Sequence, residues 1–211
     1  GPLAGPHPAV LHLTALVEKG RGDIAASKAA FEEALRRAPE DPQIGNNYGN
    51  LLLGMGALEA ALETFDRTLA IAPGFAEARF NRALAFEQMG RFDDALLDLD
   101  RVASMAPPTA RLLTARASVL RGMGRLAEAA IAYDQALDLE PTRTTALHGR
   151  ARTAMERGKA DASQFYAHAL AIAPDDLALN LGHAEALQAE GDPRAPDLLA
   201  QLVAQHADWA E

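Results

Sequence analysis

Apolar residues along this chain recur with the period of an α-helix, in short segments that come in pairs. In one pair, the first segment carries Phe80, Ala83, Leu84 and Phe86, and the second carries Phe92, Ala95, Leu96, Leu99 and Val102. Residues three or four apart share one face of a helix, so each segment predicts an amphipathic helix. Gly90 separates the two segments and Pro107 follows the second. Because glycine commonly ends helices and proline disfavours helix in the residue before it, the pair predicts a helical hairpin.

The two residues that punctuate this hairpin recur at a fixed spacing. The prolines lie 34 residues apart, except for a last interval of 33, at Pro39, Pro73, Pro107, Pro141 and Pro174. The glycines keep the same phase at Gly22, Gly56, Gly90, Gly124, Gly158 and Gly191. A self-similar period of this length is typical of stacked helical hairpins.

Three further columns of residues follow the same period. Small residues recur at Ala15, Gly49, Ala83, Ala117, Ala151 and Ala184 and again at Ser27, Ala61, Ala95, Ala129 and Ala162, and bulky ones at Phe31, Phe65, Leu99, Tyr133 and Tyr166. We expect the small residues to let the helices of a hairpin cross closely and the bulky residue to fill the gap to the next hairpin. One hairpin cannot bury its apolar face alone, so the hairpins must stack. The columns place a one-residue deletion between Gly158 and Asp161.

These columns resemble the tetratricopeptide repeat (TPR), which has a 34-residue unit with small residues at its eighth and twentieth positions, an aromatic residue at its twenty-fourth and proline at its thirty-second. The resemblance implies an all-α fold, a right-handed TPR superhelix (α-solenoid) of stacked helix-turn-helix hairpins. It divides the chain into a tail, five units and a degenerate sixth unit that caps the array, at residues 1–7, 8–41, 42–75, 76–109, 110–143, 144–176 and 177–211. Gly45 replaces a large residue of the family, and a helical glycine costs about 1 kcal/mol relative to alanine, so we expect local weakening there.

Composition and charge exclude several classes of function. The chain has 211 residues, a formal net charge of −9 and no cysteine, which excludes disulfides, thiolate ligands and a cysteine nucleophile. Lysine and arginine form no cluster suited to phosphate, so we expect no nucleic-acid partner. No apolar run is long enough to span a bilayer, and a cytoplasmic location is the default expectation. Gly1 and Pro2 are typical of a protease-cleaved tag, so an original signal peptide could have been removed.

The candidate chemistry of the chain is sparse. No pair of histidines has the i, i+4 spacing that places two imidazoles on one helical face for zinc. Four carboxylates lie within residues 93–100. We interpret Asp93 and Asp94 as favourable charges at a helix start, and Asp98 and Asp100 as a solvated face. We therefore expect no metal, no cofactor and no catalysis: the chain is predicted not to be an enzyme.

In TPR arrays the first helix of each unit lines a concave groove, and the resemblance carries these inward positions to residues of this chain. The peptide-binding candidates are Asn46, Asn47, Asn50, Phe80, Asn81, Arg111, Ser118, Arg121, His148 and Arg152, and the same positions continue at Glu156, Leu181 and Glu185. An amide both donates and accepts hydrogen bonds, so it can pair with an extended peptide backbone. Asn47 and Asn81 hold equivalent positions in adjacent units.

Two narrower likenesses concern these asparagines. The segment 46–52 is similar to the asparagine ladder of the TPR superhelix of O-linked N-acetylglucosamine transferases, although the ladder is short here. The family's carboxylate clamp is matched in part, because its first lysine and last arginine are missing. The alternative is that the asparagines are polar surface residues tolerated in any groove. The recurring Arg82, Arg116 and Arg150 are interpreted as structural, with buried stems.

Three hypotheses for function remain. The leading one is a TPR scaffold that grips an extended protein or peptide segment, with Arg111, Arg121, His148 and Arg152 favouring acidic residues. The alternative is a substrate-recruiting N-terminal arm of a larger transferase, of the glycosyltransferase or bacterial sulfotransferase type. The third is self-association through the array ends or through Trp209, which either folds back on the cap or begins a further domain.

Overall fold

The structure, a computed structural model, describes residues 5–205, and within them all regular structure is α-helical. This confirms the all-α prediction. The twelve helices are α1 (Pro8–Arg21), α2 (Ile24–Arg37), α3 (Pro42–Gly54), α4 (Leu58–Ile71), α5 (Ala76–Gln88), α6 (Phe92–Ala103), α7 (Ala110–Gly122), α8 (Leu126–Leu139), α9 (Thr144–Glu156), α10 (Ala162–Ile172), α11 (Leu177–Ala189) and α12 (Ala195–Gln205).

The helices form two compact units, which meet in the sequence between Ala106 and Pro107. In the first unit, each helix from α1 to α6 packs against the next one in the chain, and α3 also packs against α5. In the second unit, α7 to α12 pack in the same way, with α9 also in contact with α7 and α11. Within each unit, first helices of successive hairpins are therefore neighbours, which confirms the stacked hairpins. The superhelical sense stays a prediction.

The recurring glycine ends the first helix of each hairpin, as Gly90 illustrates. Its φ is 72°, in the left-handed region that favours glycine. The Gly90 amide donates to the Glu87 carbonyl at 2.9 Å and the Arg91 amide donates to the Phe86 carbonyl at 2.8 Å. This pair of bonds is a Schellman motif, which satisfies the last carbonyls of α5 and turns the chain into α6.

The one-residue deletion removes the first turn of a helix. In the third hairpin, α6 begins two residues after Gly90 and reaches the small column, at Ala95, in its fourth residue. In the fifth hairpin, α10 begins four residues after Gly158, at Ala162, which is itself the small-column residue. The hairpin therefore keeps its packing register and shortens its second helix instead.

Two tyrosines of the bulky column pack against bare backbone. A Cβ added to Gly149 would lie 2.3 Å from the ring of Tyr133, and one added to Gly182 would lie 2.5 Å from the ring of Tyr166.

The glycine at position 45 also lies in a close contact between helices, because a Cβ on Gly45 would lie 2.4 Å from Oγ1 of Thr68. The expectation for Gly45 rested on helix propensity alone, whereas the structure shows that α3 approaches α4 too closely for a larger residue there.

The first helix leaves an apolar face exposed. Val10 and Val17 are 53% and 51% exposed, whereas Ile44 and Leu51, at the same positions of α3, are 1% and 2% exposed beneath α2. Self-association through an array end would cover this face, and it stays a prediction. Trp209 lies outside the described residues. None of the helices in residues 5–205 has the length and apolarity to cross a bilayer.

Candidate functional site

A recurring polar link orients the first helices. The Tyr48 hydroxyl donates to Glu32 at 3.0 Å, Arg82 Nη1 donates to Asp66 at 2.6 Å and Arg150 Nε donates to Asp134 at 2.8 Å. Each link joins the seventh residue of a unit to the preceding second helix, 16 residues earlier. The arginines form a recognisable column in the sequence, and their acidic partners, which the sequence pattern did not single out, recur in phase with the repeat. The side of the first helix that carries the seventh residue is hydrogen-bonded to the preceding hairpin. The predicted inward positions therefore lie on other sides of that helix.

Asp98 belongs to the same network, and the prediction that it lies on a solvated face is wrong. It is buried and accepts hydrogen bonds from Arg82 Nε at 2.7 Å, Arg82 Nη2 at 2.8 Å and Arg79 Nη1 at 3.3 Å. A buried carboxylate is tolerated where charged donors satisfy its oxygens. Asp100, in contrast, is exposed.

The asparagines of α3 and α5 bond within the fold. Asn81 Nδ2 donates to Asn46 Oδ1 at 3.0 Å, and both residues are buried. The Nδ2 of Asn46 is also buried and has no acceptor among the described residues. Asn47 Nδ2 lies 2.8 Å from Nε2 of His12. The amide nitrogen is a hydrogen-bond donor, so Nε2 of His12 is the acceptor in this contact.

These bonds reduce the number of asparagine side chains in the predicted ladder that are free to bond a ligand. Asn47 and Asn81 were expected side by side in the groove, but each bonds to a different helix. Asn46, Asn81 and Phe80 are buried, so none of the three presents an open side chain in this structure. Asn50 is exposed and has no side-chain hydrogen bond within residues 5–205, so it alone of the four predicted asparagines presents a free amide.

The three peptide-binding candidates on α7 differ in their exposure and in their hydrogen bonding. Arg111 is exposed in the first turn, and Ser118 is half-buried. Arg121 Nη1 donates to Glu156 of α9 at 2.8 Å, and Arg121 is also in hydrogen-bond contact with Tyr133. Burial opposes the charge of Arg121, but the bond to Glu156 helps to outweigh it and its pKa is raised. The carboxylate that Arg121 was predicted to bind is therefore supplied by the chain itself.

A cavity of about 410 Å³ opens between α9 and α11. Its lining residues include five of the predicted inward positions, namely His148, Arg152, Glu156, Leu181 and Glu185. The remaining lining residues are Met155, Tyr166, Ala178 and Gly182. The repeat brings these residues together because α9 and α11 are neighbouring first helices, whereas α10 lies behind them. His148 and Arg152 therefore line the same cavity, and their role in peptide binding stays a prediction.

The inner wall of this cavity, formed by His148 and Tyr166, is uncharged near neutral pH. Burial, and then the nearby Arg152, lower the pKa of His148, so its imidazole is neutral at pH 7. Burial raises the pKa of Tyr166, so its hydroxyl keeps its proton. The two rings pack with their centroids 5.7 Å apart. Together with Leu181, the two rings form a mainly apolar surface, on which the imidazole nitrogens and the Tyr166 hydroxyl are the polar groups.

The open side of the cavity carries charge. Arg152 projects from α9 and Glu185 from α11, and both are exposed. Neither forms a hydrogen bond or an ion pair with any residue between 5 and 205. In the same part of the chain, no three histidine or acidic side chains gather as ligands for a metal ion. The cavity therefore offers hydrogen-bond donors and acceptors together with two exposed side chains of opposite charge.

Comparison with known proteins identifies the repeat. A family model described as Tetratricopeptide repeat matches residues 13–74, 49–110 and 114–176. The fold is similar to that of PilW, described as a widely conserved type IV pilus biogenesis factor, with a TM-score of 0.86 and 20% identity over 93% of this chain and 92% of that one. It is also similar to TTC0263, a TPR protein from Thermus thermophilus, with a TM-score of 0.73 and 26% identity over 86% of this chain and 99% of that one.

A third similar structure is YrrB, described as a TPR protein with an unusual peptide-binding site, with a TM-score of 0.62 and 19% identity over 85% of this chain and 93% of that one. No curated protein sequence matches the chain. The repeat matches cover well over half of the residues, and the hairpins that they specify are those of the structure. The chain therefore belongs to the tetratricopeptide repeat family of protein-interaction scaffolds.

Proposed function

We propose that this chain binds an extended segment of a partner protein on the inward faces of its first helices, and that the cavity between α9 and α11 anchors that segment. The observation that supports this most directly is the convergence of five family groove positions on one cavity of about 410 Å³. Repeat arrays use such extended faces to bind partners.

The chemistry of the cavity suits a peptide. An extended backbone presents alternating donors and acceptors, and its side chains need apolar space. His148 and the Tyr166 hydroxyl offer polar contacts, while Leu181, Met155 and Ala178 offer apolar ones. Leu181 is 37% exposed, so it can bury area when a ligand enters.

In the first unit, Asn50 is the asparagine that we propose for backbone contact. Asn47 joins it if its bond to His12 is exchanged for one to the ligand. Asn46 and Asn81 support α3 and α5 through their mutual bond, and a role in direct peptide contact would require that buried bond to open.

The alternative function, a recruiting arm of a larger transferase, uses the same faces. The narrower likeness to transferase arrays remains a hypothesis, and no observation on the described residues favours it over a separate scaffold. The full reading frame decides it, because a catalytic domain after residue 211 would support the arm.

Selection of displayed random peptides of about 12 residues on the purified chain tests the proposal. Selected peptides should bind Leu181→Ala and His148→Ala about tenfold more weakly than wild type, since both truncations remove contact area in a preformed pocket. Leu139→Ala is the matched control, because Leu139 is 57% exposed on α8. Selection of no peptide, or equal affinity for wild type and both cavity variants, would contradict the proposal.

A further inference from the structure

The two charged residues that lie across the cavity from each other are unpaired. Arg152 and Glu185 occupy equivalent ninth positions on the adjacent first helices α9 and α11, and both line the cavity. Both are exposed, and neither has a bonded partner within the described part of the chain. By contrast, the other charged lining residue, Glu156, is bonded to Arg121 at 2.8 Å.

The charge balance of the cavity follows from these contacts. Glu156 and Arg121 neutralise each other, and the inner wall of His148 and Tyr166 carries no charge at pH 7. Among the residues that line the cavity, one uncompensated positive charge therefore remains on the α9 side and one uncompensated negative charge on the α11 side. A ligand that enters with charges of one sign would meet attraction on one wall and repulsion on the other.

We propose that the cavity selects partner segments that carry one acidic and one basic residue, the acidic residue beside Arg152 and the basic residue beside Glu185. Packed helices lie roughly 8–10 Å apart, and an extended chain rises roughly 3.3 Å per residue. The two charged residues of the ligand are therefore expected about three positions apart. This inference rests on the proposed function, and it adds a basic residue to the acidic residues that were expected in the partner.

Electrostatic complementarity of this kind contributes mainly to specificity. Opposite charges attract across the rim of an interface, and like charges facing each other exclude the wrong partners. A peptide with two acidic residues would place one of them beside Glu185, and a peptide with two basic residues would place one beside Arg152. We expect the bipolar peptide to bind about tenfold more tightly than either, at low salt.

Parallel selections on charge-reversed proteins test the inference. The probe is a displayed library of random peptides of about 12 residues, selected on wild type, Arg152→Glu and Glu185→Arg. Wild type should enrich peptides with one acidic and one basic residue about three positions apart. Arg152→Glu should enrich two basic residues, Glu185→Arg should enrich two acidic residues, and the double reversal should restore bipolar peptides.

The outcomes of these selections distinguish failure of the bipolar inference from failure of the proposed function. The same charge composition on all four proteins overturns the bipolar inference and leaves peptide binding standing. If no protein enriches any peptide, the proposed function is overturned, and the inference with it.

Arg101→Glu on α6 is the matched control, since Arg101 is exposed and has no side-chain bond within residues 5–205. If a reversal fails to fold, as judged by helical circular dichroism, Arg152→Gln and Glu185→Gln take its place. Each neutral variant should lose the preference for one sign only, and retention of both preferences would contradict the inference.

Discussion

The side chain of Asn81 donates to that of Asn46 at 3.0 Å, and this bond joins α5 to α3 inside the first unit. Replacing either residue by alanine leaves the other amide buried without its partner, which costs about 1–3 kcal/mol of unfolding free energy. The double replacement should cost less than the sum of the two, because it removes both unsatisfied groups together. Denaturant unfolding of the four proteins measures this coupling.

Asn50→Ala is the control for that cycle. Asn50 is exposed and lacks a side-chain bond in the described chain, so its replacement should change the unfolding free energy by less than about 0.5 kcal/mol. Additive effects of the Asn46 and Asn81 replacements would show that the bond does not stabilise the fold.

Gly45→Ala should destabilise the chain although alanine is the better helix former. The new Cβ would lie 2.4 Å from Thr68 Oγ1, and that hydroxyl is held by a bond of 2.8 Å to the Thr64 carbonyl. Overpacking costs about 1–3 kcal/mol, which exceeds the gain of about 1 kcal/mol in propensity. The thermal midpoint should therefore fall, and Thr68→Ala in the same protein should restore part of it.

Gly20→Ala is the matched substitution in open space, because nothing lies within 4 Å of its added Cβ. Propensity alone acts there, and we expect stabilisation by about 0.5–1 kcal/mol. A rise in the thermal midpoint for both glycine variants would contradict the packing role of Gly45.

Glu190 caps a helix that has lost its own first turn. Its carboxylate accepts from the Ser163 amide at 3.0 Å and from the Ser163 hydroxyl at 2.6 Å, at the start of α10. Glu190→Ala should destabilise the chain by about 0.5–2 kcal/mol, as loss of an N-cap does. Hydrogen exchange should accelerate mainly in residues 162–166. Asp175→Ala removes the same charge from an exposed side chain that makes no bond within residues 5–205, and an equal acceleration there would argue against capping.

The stability of the second unit should fall as the solution becomes acidic, in part through His148. Burial, and then Arg152, lower the pKa of His148 below its ordinary value of 6.5. The unfolded chain therefore binds a proton first as the pH falls below about 6.5, and the stability present above that pH is lost progressively until the folded form is protonated as well. Thermal midpoints between pH 7.5 and 5 should decrease less in His148→Gln than in wild type.

Titration by NMR isolates the contribution of Arg152 to this lowered pKa from those of burial and of Arg121. Arg152→Gln removes a neighbouring positive charge, so it should raise the pKa of His148 toward 6.5. The pKa of His183 is lowered by burial and by Arg194, and it should stay unchanged in the same variant. An unchanged pKa for His148 would show that Arg152 does not reach the cavity wall electrostatically.

Helix pairing and helix ends were predictable because their causes are local. A glycine at φ of 72° and the amide bonds around it need only the residues of one turn, so the position of Gly90 is enough to predict where α5 ends. Groove positions that the family resemblance assigns to α9 and α11 lie around one cavity. The site roles of these residues stay predictions.

The order of residues is enough to specify the all-α repeat, the hairpin boundaries and the faces that the first helices share, because periodicity and turn chemistry act over a few residues. Which polar groups are free depends instead on how the helices pack. The sequence pattern left Asp98 and Asn81 indistinguishable from surface residues, and their burial depends on Arg82 and Asn46, which come from other helices. Arg152 and Glu185 are open for the complementary reason, since no neighbouring helix among the described residues brings an opposite charge to within bonding distance of either.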